Sequence, residues 1–230
     1  MTDVPELRTA RLLLRPWRGE DLAPFAALNA DPEVLEHFPS GAMSRAESDA
    51  LVERFAARWR DDGHAPWAVE RLEDGALLGF IGLATAHFDA HFTPAVEVGW
   101  RLAREAWGHG YATEGGHASL RWGFETLGLP EIVSFTTPGN SRSRAVMERL
   151  GMTRDPGDDF DHPRIAVGHP LRRHVLYRLR RRDWEGQARR SRVTSLSDGA
   201  PTSGSATASS ARRMSSAFST PARPPEASAQ

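Results

Sequence analysis

The sequence predicts a mixed α/β (α+β) domain, and three observations lead to this class. Apolar runs of strand length recur along the first 180 or so residues, separated by Gly, Pro and Asp. Four other stretches space their apolar side chains three and four positions apart, as helices with one buried face do. The resulting order, β-α-α-β-β-β-α-β-α-β, combines an antiparallel meander with one parallel βαβ crossover.

The first half is predicted to contain one strand, two helices and a three-stranded meander. The run "ARLLLRPW" is closed by Pro16, and the two helices that follow carry apolar residues at helical spacing. The meander turns first at Glu73 to Gly75. The predicted strands of this half are residues 10–17, 66–72, 75–86 and 95–102, and the helices are residues 21–29 and 46–59.

The second half is predicted to alternate helix and strand. The first helix has Ala112, Gly116, Leu120 and Phe124 along one face, and Gly151 ends the second helix. The predicted helices are residues 112–127 and 141–150, and the strands are residues 131–137 and 174–181.

The composition changes near Gly186 and divides the chain into a domain, residues 1–185, and a tail, residues 186–230. The tail is rich in Ser, Ala, Pro and Gly and has almost no large apolar residues. Such a segment buries too little surface to offset the entropy of ordering it, so we expect it to be disordered. Contact between its scattered arginines and an anionic partner remains the alternative.

Charge and composition exclude several classes of function. With a net charge of -1 and a pI near 6.8, the chain has no excess of positive charge that would attract nucleic acid or an anionic membrane. The chain has no Cys and no Lys, which excludes disulfides, a cysteine nucleophile and a lysine Schiff base. Neither a signal peptide nor a membrane span is recognisable, so we predict a cytoplasmic protein, either monomer or homodimer.

A glycine turn between a strand and a helix is the first candidate site. Gly108 and Gly110 follow the apolar run "VEVGWRL" and directly precede the predicted helix. Unpaired backbone N–H groups and the positive end of the helix dipole suit a phosphate or pyrophosphate there. The dinucleotide motif GxGxxG is not met, because Thr113 stands at its third glycine, and a plain tight turn remains the alternative.

Several motifs in order resemble the GNAT superfamily of N-acetyltransferases, in the branch that acetylates ribosomal-protein N-termini. They are "VEVGWRLARE", "WGHGYATEG" and "NSRSRAVMERLGM", with "LRTARLLLRPW" before them and "GHPLRRHVLYRLRRRDW" after them. The resemblance covers residues 7–184. It implies the GNAT fold, a mixed central sheet with an antiparallel N-terminal meander, splayed fourth and fifth strands and flanking helices. It also implies acetyl-CoA as co-substrate, without a metal.

The resemblance assigns the cofactor contacts. The pyrophosphate of acetyl-CoA is expected on the turn, in which Trp107 replaces the family's Arg or Gln. The pantetheine arm is expected between the splayed strands, beside Trp100 and Leu102 and opposite Asn140, for which a helix N-cap is an additional role. The turn residues so assigned are Trp107, Gly108, His109, Gly110, Tyr111, Ala112 and Thr113.

Two residues are catalytic candidates. Glu97 interrupts the apolar strand "AVEVGW" and is the candidate base, with a structural pairing to an Arg as the alternative. Many relatives use a Tyr as proton donor where this chain has Met147. Ser143 is the candidate substitute, because it shares the inward helix face with Met147, and a first-turn capping role is the alternative.

These features predict an acetyl-CoA-dependent N-acetyltransferase that transfers its acetyl group directly in a ternary complex. A protein N-terminal α-amine is the favoured acceptor, because roughly a tenth of amines with a pKa near 8 are neutral at pH 7, far more than of lysine side chains. Two alternatives stay open, a small amine such as an antibiotic or polyamine, and a module that binds acyl-CoA without turnover. The sequence does not identify the acceptor.

Two polar segments invite other interpretations. "HFDAH", residues 87–91, resembles a metal-binding cluster, but its place between two strands favours a polar hairpin loop, so no metal site is predicted. "DDFDHP", residues 158–163, is either part of the acceptor groove or a loop of solvated acids. Trp67 is expected in the core.

Overall fold

The computed structural model describes residues 4–187, and it contains every long helix and strand that the sequence predicts. Three further strands of two residues each were not predicted, because they are too short to show a pattern. The strands are Leu7–Arg8 (β1), Leu12–Arg15 (β2), Pro66–Arg71 (β3), Leu77–Thr85 (β4), Val96–Leu102 (β5), Glu131–Thr136 (β6), Thr153–Arg154 (β7), Phe160–Asp161 (β8) and Arg173–Arg180 (β9). The helices are Leu22–Asn29 (α1), Arg45–Asp61 (α2), Tyr111–Glu125 (α3) and Ser141–Arg149 (α4).

The strands form one sheet in the order β1-β2-β3-β4-β5-β6-β9-β7, with β8 paired to β9. Strand β5 pairs with β4 along its whole length, from Val96 with Thr85 to Leu102 with Gly79. By contrast, β5 and β6 run parallel, and within residues 4–187 they pair only at Glu97 and Val133. The two strands diverge from that point, which confirms the expected splay and opens a gap in the sheet.

The helices cover both faces of the sheet. Phe80 and Ile81 are neighbours in β4, so their side chains lie on opposite faces. Phe80 contacts Phe25 of α1 and Phe55 of α2, with ring centroids 6.2 and 5.3 Å apart, whereas Ile81 lies under α3. The amino-terminal helices therefore occupy one face and α3 the other.

Helix α3 approaches the sheet closely because two of its glycines lack side chains. A Cβ on Gly115 would lie 2.4 Å from Ile81 Cδ1, and one on Gly123 would lie 2.8 Å from Leu83 Cδ1. Real Cβ atoms do not approach so near, so an alanine at either position would force the facing side chains or the helix to shift. The glycines thereby allow α3 to pack closely against the side chains of β4.

The end of the described chain packs back onto α3. Residues 181–187 are helical, and the Trp184 ring stacks on Phe124 with centroids 5.6 Å apart. Gln187 donates a 3.1 Å hydrogen bond to the Gly151 carbonyl. Gly186, where the predicted tail begins, thus belongs to this helix, and residues 188–230 lie outside the described residues. No helix within residues 4–187 is long and apolar enough to cross a membrane.

A buried ion pair joins β2 to the residue that precedes α1. Arg15 donates two hydrogen bonds to the Asp21 carboxylate, 2.7 and 2.8 Å long, and its Nε lies 2.6 Å from Glu70 Oε2. Both side chains of the pair are only 2% exposed. Asp21 also accepts from the Arg18 backbone N–H at 2.7 Å, which ties the turn before α1 to the same carboxylate.

We expect Asp21→Ala to lower the free energy of unfolding by about 3–5 kcal/mol, because it leaves the Arg15 guanidinium buried beside a single remaining acid. Urea unfolding measures this loss. Asp49→Ala is the control, since it removes the exposed partner of Arg45, and such pairs contribute at most about 1 kcal/mol. Equal losses in the two variants would contradict a structural role for the buried pair.

Candidate active site

A cavity of about 1480 Å³ lies where β5 and β6 diverge. Strand β5, the glycine turn, the start of α3, helix α4 and the segment between α1 and α2 surround it. Every predicted site residue lines this one cavity, although their roles remain predictions. These residues are Glu97, Trp100, Leu102, Trp107, Gly108, His109, Gly110, Tyr111, Ala112, Thr113, Asn140 and Ser143.

The glycine turn has the geometry of an anion-binding loop. Gly108 and Gly110 have φ angles of +78° and +81°, a backbone conformation that other residues rarely adopt. Gly110 is the N-cap of α3, and the first helical bond of that end joins the Glu114 N–H to the Gly110 carbonyl. The N–H groups of the preceding residues, 111–113, therefore have no helical acceptor and are free to bind an anion.

The turn is held in place by the amino-terminal hairpin. Arg11 donates a 3.0 Å hydrogen bond to the His109 carbonyl and lies over the Tyr111 ring, 4.7 Å from its centroid. Its guanidinium also forms a 2.6 Å ion pair with Glu114 in the first turn of α3. These contacts with β2 and α3 restrain the backbone that is to receive the anion.

Trp107, which departs from the family's Arg or Gln, links the two sides of the cavity. Its indole N–H donates a 2.9 Å hydrogen bond to the Leu102 carbonyl at the end of β5. The Arg142 guanidinium of α4 lies over the ring, 4.5 Å from its centroid. The indole therefore connects the turn to β5 and to α4, and it contributes no charge of its own.

Glu97 stands at the point where β5 and β6 separate. It is half-buried, because the cavity reaches its carboxylate, while protein atoms surround it closely. Among residues 4–187 it has neither a hydrogen bond nor an ion pair, so the alternative of a structural pairing with an Arg is not supported. Burial raises its pKa from 4.5 to about 8, and the nearby Arg58 opposes this shift only in part.

Helix α4 begins with Asn140 as its cap. The Asn140 side chain accepts from the Ser143 backbone N–H at 3.2 Å and donates to the Thr136 hydroxyl at 3.0 Å. Its predicted N-cap role is thus confirmed. Ser143 is not the cap, and its hydroxyl has no hydrogen-bond partner among the described residues, so it is available to a ligand in the cavity.

Two histidines in the cavity wall, His162 and His174, were not identified as a pair by the sequence analysis, because they come from different segments, "DDFDHP" and the last predicted strand. Their rings are 5.2 Å apart. His174 Nδ1 lies 3.1 Å from the Arg172 carbonyl and so carries the proton, whereas His162 Nδ1 accepts from the Arg164 N–H at 3.3 Å. The Nε2 atoms are therefore an acceptor on His174 and a donor on His162.

Both imidazoles are neutral near pH 7. Burial, together with the charges of His174, Arg164 and Arg172, lowers the pKa of His162 to about 4. Burial also lowers the pKa of His174, and its bond to the Arg172 carbonyl offsets this only in part. The part of the cavity wall that these two rings form is thus polar without carrying charge.

The two polar segments serve the core as well as the surface. "HFDAH" connects β4 to β5 as predicted, but Phe88 and Phe92 pack with Phe160, so the loop is not simply polar. No group of three or more candidate ligands that could hold a metal occurs in residues 4–187. In "DDFDHP", Asp158 and Asp159 pair with arginines outside the cavity, and only His162 lines it.

Comparisons with known proteins agree with this geometry. The family model described as "Acetyltransferase (GNAT) domain" matches residues 11–153. An acetyltransferase structure from Agrobacterium tumefaciens superposes with a TM-score of 0.61 at 32% identity, covering 77% of this chain and 95% of that one. Its high coverage shows that the fold extends over nearly the whole of that neighbour.

Two curated relatives have more specific names. A protein of Aspergillus fumigatus named "FsC-acetyl coenzyme A-N(2)-transacetylase" is 30% identical over 188 residues, which is 78% of each chain. A Bacillus subtilis protein named "Putative ribosomal N-acetyltransferase YdaF" is 33% identical over 178 residues, 76% of this chain and 92% of the relative. With the sheet, the splay and the glycine turn in place, the chain belongs to the GNAT family and is an N-acetyltransferase.

Proposed function

We propose that this N-acetyltransferase acetylates the α-amino group of protein N-termini, by direct transfer from acetyl-CoA in a ternary complex. The observation that carries the proposal is a single cavity that joins an anion-binding turn to a half-buried, unpaired carboxylate. GNAT acetyltransferases use acetyl-CoA as co-substrate. We therefore assign the turn to the pyrophosphate of acetyl-CoA and the carboxylate to the acceptor amine.

The residues present fit acetyl-CoA. Space above Gly108 is open, with nothing within 4 Å of where a Cβ would be, so a pyrophosphate can reach the N–H groups at the start of α3. Strand β5 diverges from β6 beyond Glu97, which leaves room for the pantetheine arm beside Trp100 and Leu102. Asn140 faces this gap from the start of α4.

In the proposed reaction, the neutral amine attacks the thioester carbonyl carbon and the carbon–sulfur bond breaks. Glu97 accepts the proton that the amine loses, through a water molecule, and the Ser143 hydroxyl donates its proton to the departing thiolate. Ser143 regains a proton from solvent and Glu97 releases its proton to solvent, so the protons balance over one turnover. Direct attack requires no covalent intermediate with the protein. A carboxylate with a pKa of about 8 is a better proton acceptor than an ordinary one, and it matches an α-amine of similar pKa.

Two arguments support a protein N-terminus as acceptor. The carboxylate has only to remove a proton from a weakly basic amine, since an α-amine has a pKa near 8 and a lysine side chain near 10.4. The Bacillus subtilis relative is named for ribosomal N-acetylation and is 33% identical. Both point to the α-amine of a polypeptide.

A small amine is the second candidate. The Aspergillus fumigatus relative is named as a transacetylase of FsC and is 30% identical over 78% of its length. A cavity of about 1480 Å³ also exceeds what typical small ligands need, so it can hold a compact acceptor together with the co-substrate arm. Substrate comparison separates the two candidates.

Given acetyl-CoA, we expect a peptide with a free N-terminus to be acetylated at pH 7 with a kcat/KM at least about tenfold above that of a polyamine, because more of its amine is neutral. Thiol release and mass spectrometry of the product measure this. The same peptide with a blocked N-terminus and an internal lysine is the control and should not react. A polyamine or other small amine that reacts faster than every peptide would contradict the proposal.

We expect Glu97→Gln to lower kcat about 10²-fold at and above about pH 8, where the wild-type carboxylate is ionised, and to leave acetyl-CoA affinity nearly unchanged. The defect should shrink towards about pH 6.5, because wild-type Glu97 is then largely protonated and cannot accept a proton. Turnover from about pH 6.5 to 9.5 measures the profile. Full activity of the variant above about pH 8 would exclude Glu97 as the base.

The melting temperature of Glu97→Gln is an independent control. The pKa of Glu97 is about 8 in the folded protein and 4.5 when unperturbed, so the unfolded chain releases its proton first as the pH rises. Wild-type stability therefore falls between about pH 4.5 and 8, and the variant should melt progressively higher than wild type over that range. A structural ion pair would make the variant melt lower.

We expect Gly110→Val to weaken acetyl-CoA binding at least about tenfold, because a branched side chain would occupy the turn that receives the pyrophosphate. Calorimetry measures the affinity. Gly75→Val is the matched control, since Gly75 has a similar φ of +74° in the β3–β4 turn and does not line the cavity. Equal affinity for both variants and wild type would remove the turn from the site.

A further inference from the structure

An arginine in the cavity wall has no acidic partner among the described residues. Arg101 is 7% exposed and lines the cavity from the same face of β5 as Glu97. Its neighbour Arg104 pairs with Glu33 at the surface, whereas Arg101 forms no ion pair within residues 4–187. The other buried arginine among residues 4–187, Arg15, is paired with Asp21.

The existing contacts of Arg101 satisfy only part of its guanidinium. Nη1 donates a 2.7 Å hydrogen bond to Asn29 Oδ1, and the Phe38 and Phe80 rings lie 4.1 and 5.5 Å from the guanidinium carbon. Nε is buried without a partner. Nη2 has no hydrogen bond either, and unlike Nε it retains accessible surface, so it faces the open space of the cavity.

Such an arrangement costs stability. A buried cation without a counter-charge is expensive, because neutral contacts replace only part of its hydration. Burial lowers the pKa of Arg101 to about 10, so the side chain still carries its charge at neutral pH. A neutral donor would satisfy Asn29 equally well, so this contact does not explain why a charged side chain is buried here. An anionic ligand would explain the charge.

We propose that Arg101 binds a carboxylate carried by the acceptor, so that the enzyme selects amines that bear a second, acidic group. The proposal rests on the proposed function, since it places the acceptor in the same cavity. Hydrogen bonds between a guanidinium and a carboxylate are strengthened by their opposite charges, and Nη2 of Arg101 has unsatisfied N–H groups and accessible surface on the cavity side.

The separation of Arg101 from Glu97 limits the shape of the acceptor. Four residues of strand place their backbones about 13 Å apart. Phe80 is the cross-strand partner of Arg101 and contacts its guanidinium. The guanidinium therefore stays close to the position of Arg101 along the strand. The amine and carboxylate of an α-amino acid are too close together to reach both residues. An extended peptide rises about 3.3–3.6 Å per residue, so an acidic side chain within the first three or four residues fits.

The first test uses wild-type enzyme and two peptides that differ only in Glu or Gln at the third position. We expect the acidic peptide to have a kcat/KM about tenfold or more above its amide twin, mainly through a lower KM, because hydrogen bonds to charged groups contribute that much. Equal values across twins with the substitution at positions two, three and four would overturn the proposal without any mutation of the protein.

The second test uses Arg101→Gln, with Arg104→Gln as the matched control. Arg101→Gln should lose the preference to within about twofold while retaining the wild-type rate on the amide peptide to within about threefold. Arg104→Gln removes a surface arginine three residues away and should keep the preference. A variant that loses activity equally on both peptides, or that binds acetyl-CoA more weakly by calorimetry, would show that Arg101 serves the fold or the co-substrate instead.

A third pair of acceptors separates this inference from the proposed function. An ω-amino acid whose chain is long enough to span the same separation, together with its amide, provides the same comparison without a peptide. If peptides do not react but the amino acid is preferred to its amide and Arg101→Gln removes that preference, the protein N-terminus is wrong and the role of Arg101 stands. If peptides react and neither pair shows a preference, the proposed function stands and the role of Arg101 is wrong.

Discussion

The site depends on the single parallel pairing between β5 and β6. The strands meet at Glu97 and Val133 and then diverge, so one interruption of the sheet produces both a gap for a ligand and a carboxylate at its inner end. The glycine turn lies at the far end of β5, and α4 forms the opposite side of the gap. Had the two strands paired along their whole length, as β4 and β5 do, the same residues would enclose no cavity.

An open gap in a sheet has to be supported from outside it. The buried Arg15–Asp21 pair fixes β2 to the start of α1. Arg11, in the turn between β1 and β2, holds the glycine turn through the His109 carbonyl. On the other face, Gly115 and Gly123 bring α3 against the sheet. The binding elements are thus positioned by contacts that do not touch the ligand, which leaves the cavity wall free for polar groups that would destabilise a closed core.

The sequence predicted the long elements and the cofactor turn well, because both have local signals. Periodicity marks helices such as α3, and the order of the motifs places Gly108 and Gly110 before it. Other features depend on residues brought together by the fold. His162 and His174 come from separate segments and meet only in the fold. The hydrogen bond that Asn140 accepts from the Ser143 N–H decides which of these two residues is the cap. Two-residue strands such as β1 carry no periodic signal at all.

Every side-chain cation of this protein that is permanent at neutral pH is a guanidinium, including those of Arg101, Arg142 and Arg149 in the cavity wall, because the chain contains no lysine. A guanidinium stays protonated and is not an acyl acceptor under conditions where an amine is. A protein that holds a reactive thioester close to its own surface therefore offers no side-chain amine to be modified by it. The chain can remain charged and soluble beside an acylating agent without the gradual self-acylation that lysines in these positions would permit.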